Sequence, residues 1–205
     1  MRAQASILTT LILTATAVAI SLALWSLFTT ISANQSEAAL VVATISRESS
    51  RVSIAKLSVV SVSINGTNYY RVLYQVSTLD MQPASIYIAV LNKFTSEPIP
   101  INYSIYELTT PYTNISNIST SLKVGYGSVV KTSSTNVYIK PPQINEYATL
   151  SLYYEGVINL TRIYVAGKPV AFIVEVKADE LNNSWVTVFT QVNNKFYQIF
   201  MQPIP

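Results

Sequence analysis

Two stretches of this chain have a serine and a lysine at the spacing that covalent catalysis uses. Ser53 lies three residues before Lys56, and Ser128 lies three residues before Lys131. On a helix this spacing places a serine nucleophile beside a lysine base. The S-D-N and K-T-G elements that accompany such a pair are missing, and the second pair lies in a strand-like run. Because serine is so common in this chain, we expect both pairs to be coincidental.

Other residues capable of catalysis are scarce. Asp179 and Glu180 are adjacent carboxylates, but neighbours in a strand or turn point apart, which favours a solvated turn. The Gly125-Tyr126-Gly127 stretch lacks the lysine and the helix start of a phosphate-binding loop, so it predicts a turn. The chain has no cysteine and no histidine, which excludes a Ser-His-Asp triad, a cysteine nucleophile and a His/Cys zinc site. We therefore expect neither an enzyme, nor a cofactor, nor a metal site.

Asparagine glycosylation is the one modification chemistry that the sequence suggests repeatedly. Seven Asn-x-Ser/Thr sequons occur, none with proline in the middle. Most of them lie in predicted turns or loops, which favours N-linked glycans on an exported domain. The acceptor residues are Asn34, Asn65, Asn102, Asn114, Asn117, Asn159 and Asn182.

Composition limits the other classes of partner. The 205 residues leave room for one domain with an extension, and the net charge of +3 is too small to predict a nucleic-acid surface. An extracellular chain without disulfides must be held by its core, by assembly or by glycans.

The N-terminal quarter of the chain predicts one long apolar helix. There is no charge between Arg2 and Glu37, no glycine before Gly66 and no proline before Pro83, so nothing forces a break. A helix over residues 4–52 would be roughly 70 Å long at about 1.5 Å per residue. That length exceeds the roughly 30 Å core of a bilayer, so the outer part of the helix would project beyond a membrane.

After Lys56 the hydrophobic pattern changes to the two-residue period of strands. Val60, Val62 and Ile64 share one face, and Asn65-Gly66 follows as a tight hairpin turn. Further strand-like runs, among them "EYATLSLYYE", follow at roughly the 8–12 residue spacing of a sandwich or barrel. The predicted fold class is therefore α+β, with a long N-terminal hydrophobic α-helix followed by an antiparallel β-sandwich.

The opening segment admits three interpretations. A secretory signal has an apolar core of 7–15 residues, whereas this run is nearly twice as long and has poor cleavage sites near Ala33. A transmembrane anchor fits the length. A bundle of identical helices fits a further detail, a stripe of small and hydroxyl residues that allows close helix approach. The stripe consists of Thr10, Thr14, Ala17 and Ser21, and larger residues including Trp25 and Phe28 are expected to cover other sides.

The segment resembles the N-terminus of archaeal type IV pilins and archaellins. In that family a basic and a small residue precede the cleavage point of a dedicated peptidase, and the hydrophobic helix follows uncut. The resemblance implies cleavage between Ala3 and Gln4. The leader is shorter than usual for the family, and Leu8 stands where bacterial pilins carry an acidic residue.

The resemblance extends to the first β-hairpin and to a later strand pair, and it implies a pilin-like or immunoglobulin-like sandwich. The implied domains are a leader over 1–3, a filament-core or transmembrane helix over 4–52 and an extracellular β-domain over 53–205. The implied partners are a prepilin peptidase, an assembly ATPase and a membrane platform.

The first hypothesis is a structural subunit of an extracellular type IV pilus-like filament. The helix waits in the membrane and then polymerises with its own copies, for adhesion, cell aggregation or motility. A second hypothesis removes residues 1–33 as a signal and joins subunits by donor-strand complementation through "SEAALVVATIS", residues 36–46. A third is a single-span anchored surface or binding protein.

Overall fold

A computed structural model of the chain describes residues 2–92, 100–108, 129–141, 146–180 and 184–204. It describes only the backbone of residues 2–10, 107, 108 and 180. The chain divides into two units, residues 1–43 and 44–205. The predicted turn Gly125-Tyr126-Gly127 and Ser128 of the second serine–lysine pair lie outside the described residues.

The helix α1 covers Arg2–Arg51, 50 residues in all, which corresponds to about 75 Å at about 1.5 Å per residue. It ends where the N–H of Leu79 donates to the carbonyl of Arg51 at 2.8 Å, and the extended backbone begins at Val52. The helix is followed by a largely antiparallel β-domain, so the predicted α+β fold class is confirmed.

The β-domain contains eleven strands and three short 3₁₀ turns, counted within the described ranges. The strands are β1 Val52–Ile64, β2 Thr67–Thr78, β3 Ala84–Asn92, β4 Ser104–Leu108, β5 Val129–Ser133, β6 Val137–Ile139, β7 Ala148–Thr149, β8 Val157–Val165, β9 Val170–Lys177, β10 Ser184–Val192 and β11 Lys195–Pro203. The 3₁₀ turns are Ser134–Asn136, Leu150–Leu152 and Ala178–Glu180.

The strands form two sheets that pack face to face. One sheet has the order β1-β2-β9-β4, and the other has the order β5-β8-β3-β10-β11-β6-β7. Only β11 and β6 run parallel among the pairs that the structure describes. Buried side chains from β2 and β9, such as Tyr74 and Phe172, meet Ile88 of β3 and Val188 of β10 in the main core. This arrangement is a sandwich with a shared apolar interior.

The seven-stranded sheet is apolar on both of its faces. Ile86 and Ile88 of β3 point into the main core, whereas Tyr87 and Ala89 belong to a second buried cluster. Because successive side chains of a strand point to opposite faces, the second cluster lies on the other side of this sheet. The continuous apolar run of β3 is the pattern of a strand that is buried on both faces.

The first hairpin forms as predicted. Ile64 pairs with Thr67, and the two turn residues Asn65 and Gly66 have φ values of 51° and 81°. Positive φ at both central positions is the geometry of a type I′ turn, which matches the twist of the flanking strands. Strand β1 begins at Val52, earlier than the alternation after Lys56 indicated, because its ladder with β2 extends back to the end of the helix.

The prediction of a full strand over "EYATLSLYYE" is wrong. Only Ala148–Thr149 is extended, and Leu150–Leu152 forms a 3₁₀ turn. The N–H groups of Tyr153 and Tyr154 both donate to the carbonyl of Leu150. This turn buries Leu150 completely in the second cluster, so burial of one side chain overrides the local alternation.

Candidate assembly helix

Residues 2–43 of the first unit are helical, and all of their described side chains except Val41 are exposed. Every side chain from Leu11 to Leu40 is exposed, and the large apolar ones range from 47% exposed at Ile31 to 69% at Trp25. A helix that is apolar all round is stable only when it is covered all round. Among the described residues this is the one helix long and apolar enough to cross a membrane, as a membrane anchor or a signal sequence would.

Two hydroxyl groups of the predicted stripe, those of Thr14 and Ser21, are satisfied within the helix itself. Thr14 Oγ1 donates to the carbonyl of Leu11 at 3.0 Å, and Ser21 Oγ donates to the carbonyl of Ala17 at 2.8 Å. These bonds allow the hydroxyl residues to enter an apolar environment without water. The stripe is therefore small in volume and effectively apolar.

The expected placement of two aromatic residues is wrong. At about 3.6 residues per turn, Phe28 follows Ser21 by about two turns, and Trp25 follows it by about one. Both residues therefore continue the side of the helix on which the stripe lies, rather than covering other sides. The face consists of small residues in its first part and aromatic residues in its second part.

A second small-residue surface was missed by the sequence analysis. Thr14, Ala15, Val18 and Ala19 line a shallow groove that is bordered by larger side chains such as Leu22. Ala15 and Ala19 are four residues apart, which is the small-xxx-small spacing that lets helix backbones approach. The signal in the sequence is the Ala15-x-x-x-Ala19 spacing itself.

The predicted cleavage site lies in helical backbone. Ala3 and Gln4 are both within α1, and their side chains, like that of Thr10, are outside the described part of the helix. Asn34, the sequon residue nearest to this region, is exposed on α1.

The sequons of the β-domain differ in their surroundings. Asn65 is exposed in the hairpin turn, Asn102 is exposed ahead of β4, and Asn159 is exposed on β8. The other three predicted acceptors, Asn114, Asn117 and Asn182, lie outside the described residues.

The described residues considered for catalysis lie on different faces or elements of the β-domain and do not form a site. Ser53 and Lys56 lie on β1, where a separation of three residues places side chains on opposite faces. Lys131 lies on β5, and Asp179 is exposed in a 3₁₀ turn. Within the described residues, no group of three or more histidine, cysteine, aspartate or glutamate side chains is placed to hold a metal ion.

A buried ion pair lies on the outer face of the four-stranded sheet. Arg71 Nε and Glu175 Oε2 are 2.7 Å apart, and both side chains are less than a tenth exposed. Tyr106 donates its hydroxyl to Glu175 Oε1 at 3.0 Å, and burial, together with the charge of Glu175, raises the pKa of Tyr106. In the sequence, this pair is recognisable as a charged residue inside an apolar strand run, Arg71 in β2 and Glu175 in β9.

The last turn of α1 is held to the turn that follows β2. Arg51 forms ion pairs with Glu48 and Asp80, both at 2.9 Å, and Arg51 Nη2 donates to the carbonyl of Pro83 at 2.8 Å. Desolvation opposes ionisation of Asp80, but hydrogen bonds from the Gln82 N–H and from Arg51, together with the charge of Arg51, outweigh it and lower the pKa of Asp80. One arginine therefore fixes the end of the helix to the β-domain.

No known protein family, curated protein or solved structure matches this chain.

Proposed function

We propose that this protein is a structural subunit of an extracellular filament of the type IV pilus kind. The single observation that carries the proposal is the length of exposed apolar helix in α1. Burying about 20 apolar side chains at ~1 kcal/mol each gives on the order of 20 kcal/mol as an upper bound. A helical bundle of identical copies would gain this free energy without lipid.

The surface of the helix favours a bundle over a simple membrane span. Lipid requires only apolar length, whereas close packing between helices requires small residues at the contact. The stripe around Ala17 and the groove around Ala15 and Ala19 provide small residues on more than one side. The membrane holds the helix before assembly, and the polar β-domain then forms the filament surface.

The proposal includes export, glycans and the roles that the filament serves. N-linked glycans occupy exposed sequons of the β-domain, and the filament functions in surface adhesion, cell aggregation or motility. The donor-strand alternative requires residues 36–46 as an extended strand, and that segment is α-helical here.

The mature N-terminus tests the proposal against its alternatives. Sequencing the subunit from sheared cell-surface filaments should give Gln4 as the first residue. A start near Asn34 would favour donor-strand assembly. An intact Met1 in a protein that stays monomeric in detergent would favour the membrane anchor.

A pair of substitutions at one position separates packing from membrane insertion. Ala17→Leu makes the helix more apolar but adds volume to the stripe, so we expect membrane insertion without filaments. Ala17→Ser keeps the residue small, and its hydroxyl can bond to a carbonyl of the preceding turn, so we expect filaments to form. Electron microscopy of sheared material reads out assembly, and normal filaments from Ala17→Leu would contradict close packing at the stripe.

A further inference from the structure

A cleft opens in the β-domain where β3 and β8 separate. Their pairing ends at Ile88 and Thr161. Beyond this point the N–H of Ile101 donates to the carbonyl of Val90 at 2.9 Å, so the segment 100–103 takes the place of β8 beside β3. The space enclosed near this junction has a volume of about 320 Å³, within the range of small ligand-binding clefts.

The floor of the cleft is fixed by the half-buried tyrosine Tyr103. The hydroxyl of Tyr103 lies 2.7 Å from the carbonyl of Ile88, 3.1 Å from that of Asn159 and 3.2 Å from Thr161 Oγ1. Burial raises the pKa of Tyr103 to about 12, so the phenol stays neutral. Its single O–H proton therefore donates into the gap between the separated strands, at the shortest distance to the carbonyl of Ile88.

Two sequon asparagines border this cleft. Asn102 lies on the segment 100–103, and Asn159 lies on β8, and both are among the lining residues. Val129 and Val157 also line it and are 57% and 61% exposed. Amide groups beside exposed apolar side chains suit a sugar, which presents hydroxyl groups at its edge and C–H groups on its faces.

The two asparagines differ as acceptors. Asn159 lies on an interior strand and pairs with Lys131 of β5, and the hydroxyl of its sequon residue Thr161 is close to Tyr103. Asn102 precedes β4 outside the regular strands, and Ser104, which completes its sequon, is exposed. Both asparagines are exposed, but the folded domain presents Asn102 ahead of β4, whereas the Asn159 sequon is held within an interior strand.

We propose that Asn102 carries an N-linked glycan whose first sugars lie in this cleft. The sugars contact the Asn159 amide and cover Val129 and Val157, and Asn159 itself stays unmodified. The inference rests on the proposed glycosylation of the domain, and it adds the acceptor and the surface that receives its glycan.

Peptide mass spectrometry of the natural protein gives the first test. We expect a glycan on the peptide containing Asn102 and none on the peptide containing Asn159. Unmodified Asn102 together with a modified Asn65 would overturn this inference alone. Absence of glycans from every sequon would overturn the proposed glycosylation as well.

Thermal unfolding of the full chain in detergent gives the second test. Asn102→Gln removes the proposed acceptor, and Thr67→Ala removes the sequon of Asn65 as a matched control away from the cleft. In protein from glycosylating cells, we expect Asn102→Gln to lower Tm by about 2–4 °C and Thr67→Ala to leave it unchanged. In protein from a host without glycosylation, both variants should match the parent chain. Equal shifts from the two variants, or the same loss from Asn102→Gln without glycans, would overturn the proposal.

Discussion

Replacing Glu175 by leucine should be strongly destabilising, although the ion pair it forms contributes little net stability. Arg71 and Glu175 are directly opposite each other on β2 and β9, and both side chains are buried. The variant removes the carboxylate that faces Arg71 and also the acceptor of the Tyr106 hydroxyl. The loss in the free energy of unfolding therefore measures what it costs to bury the charge of Arg71 without its opposing carboxylate.

The magnitude follows from two opposing terms. At 2.7 Å and an effective dielectric constant of about 20, the gross attraction is about 6 kcal/mol. Removing the two ions from water costs several kcal/mol for each ion, so the pair as a whole is close to neutral. Glu175→Leu loses the attraction while the desolvation of Arg71 remains, so we expect about 3–5 kcal/mol of destabilisation.

The assay is guanidinium unfolding of the full chain in detergent, followed by tryptophan fluorescence. The chain has two tryptophans, so a Trp25→Phe background leaves Trp185 on β10 as the reporter for the β-domain. In this background we compare Glu175→Leu with the double variant Arg71→Met/Glu175→Leu. The double variant should recover most of the lost stability, because neither buried charge remains.

Two outcomes would refute this reasoning. A loss of less than about 1 kcal/mol in Glu175→Leu is the value for an exposed pair and would mean that the pair is solvated. A double variant as unstable as the single one would mean that side-chain shape, and not charge, accounts for the loss.

The remaining predictions concern the tyrosines Tyr74 and Tyr103 and two glycines with positive φ. Tyr103→Phe should cost about 1–3 kcal/mol because it removes the hydroxyl that donates to the carbonyl of the buried residue Ile88. Tyr74→Phe should be neutral or stabilising, because the Tyr74 hydroxyl has no hydrogen-bond partner among the described residues; denaturant unfolding of the two variants checks both. The pKa of Tyr103 is raised to about 12, so the native state binds more protons than the unfolded chain above about pH 10, and stability should fall between about pH 10 and pH 12; Tyr103→Phe should lessen that fall in unfolding measured across this range. Gly167→Ala should lower Tm more than Gly66→Ala, because a Cβ at Gly167 would clash with the carbonyl oxygen of Met81 while that at Gly66 meets nothing within 4 Å. Gly66→Ala should lose only about 1 kcal/mol of stability, from its positive φ, and equal losses would contradict the close contact.

Local patterns in the sequence predicted the elements that depend on neighbouring residues. The absence of glycine and proline before Gly66 predicted the long helix, and the Asn65-Gly66 pair predicted the first hairpin. The hydroxyl-to-carbonyl bonds of Thr14 and Ser21 were also predictable, because each of them spans at most four residues. Periodicity and turn chemistry are local properties, so one sequence suffices to read them.

Tertiary structure alone decided the contacts between distant residues. Arg71 and Glu175 are 104 positions apart, and the cleft beside Tyr103 exists because β8 pairs with β3 only from Thr161 onward. Strand order and the pairing of buried polar groups depend on which faces of the sheets are covered. The packing of the whole domain determines which faces are covered, and no local hydrophobic period predicts it. The sequence determined that α1 is long and apolar, whereas packing of the β-domain determined which asparagine borders the cleft and which charges are buried.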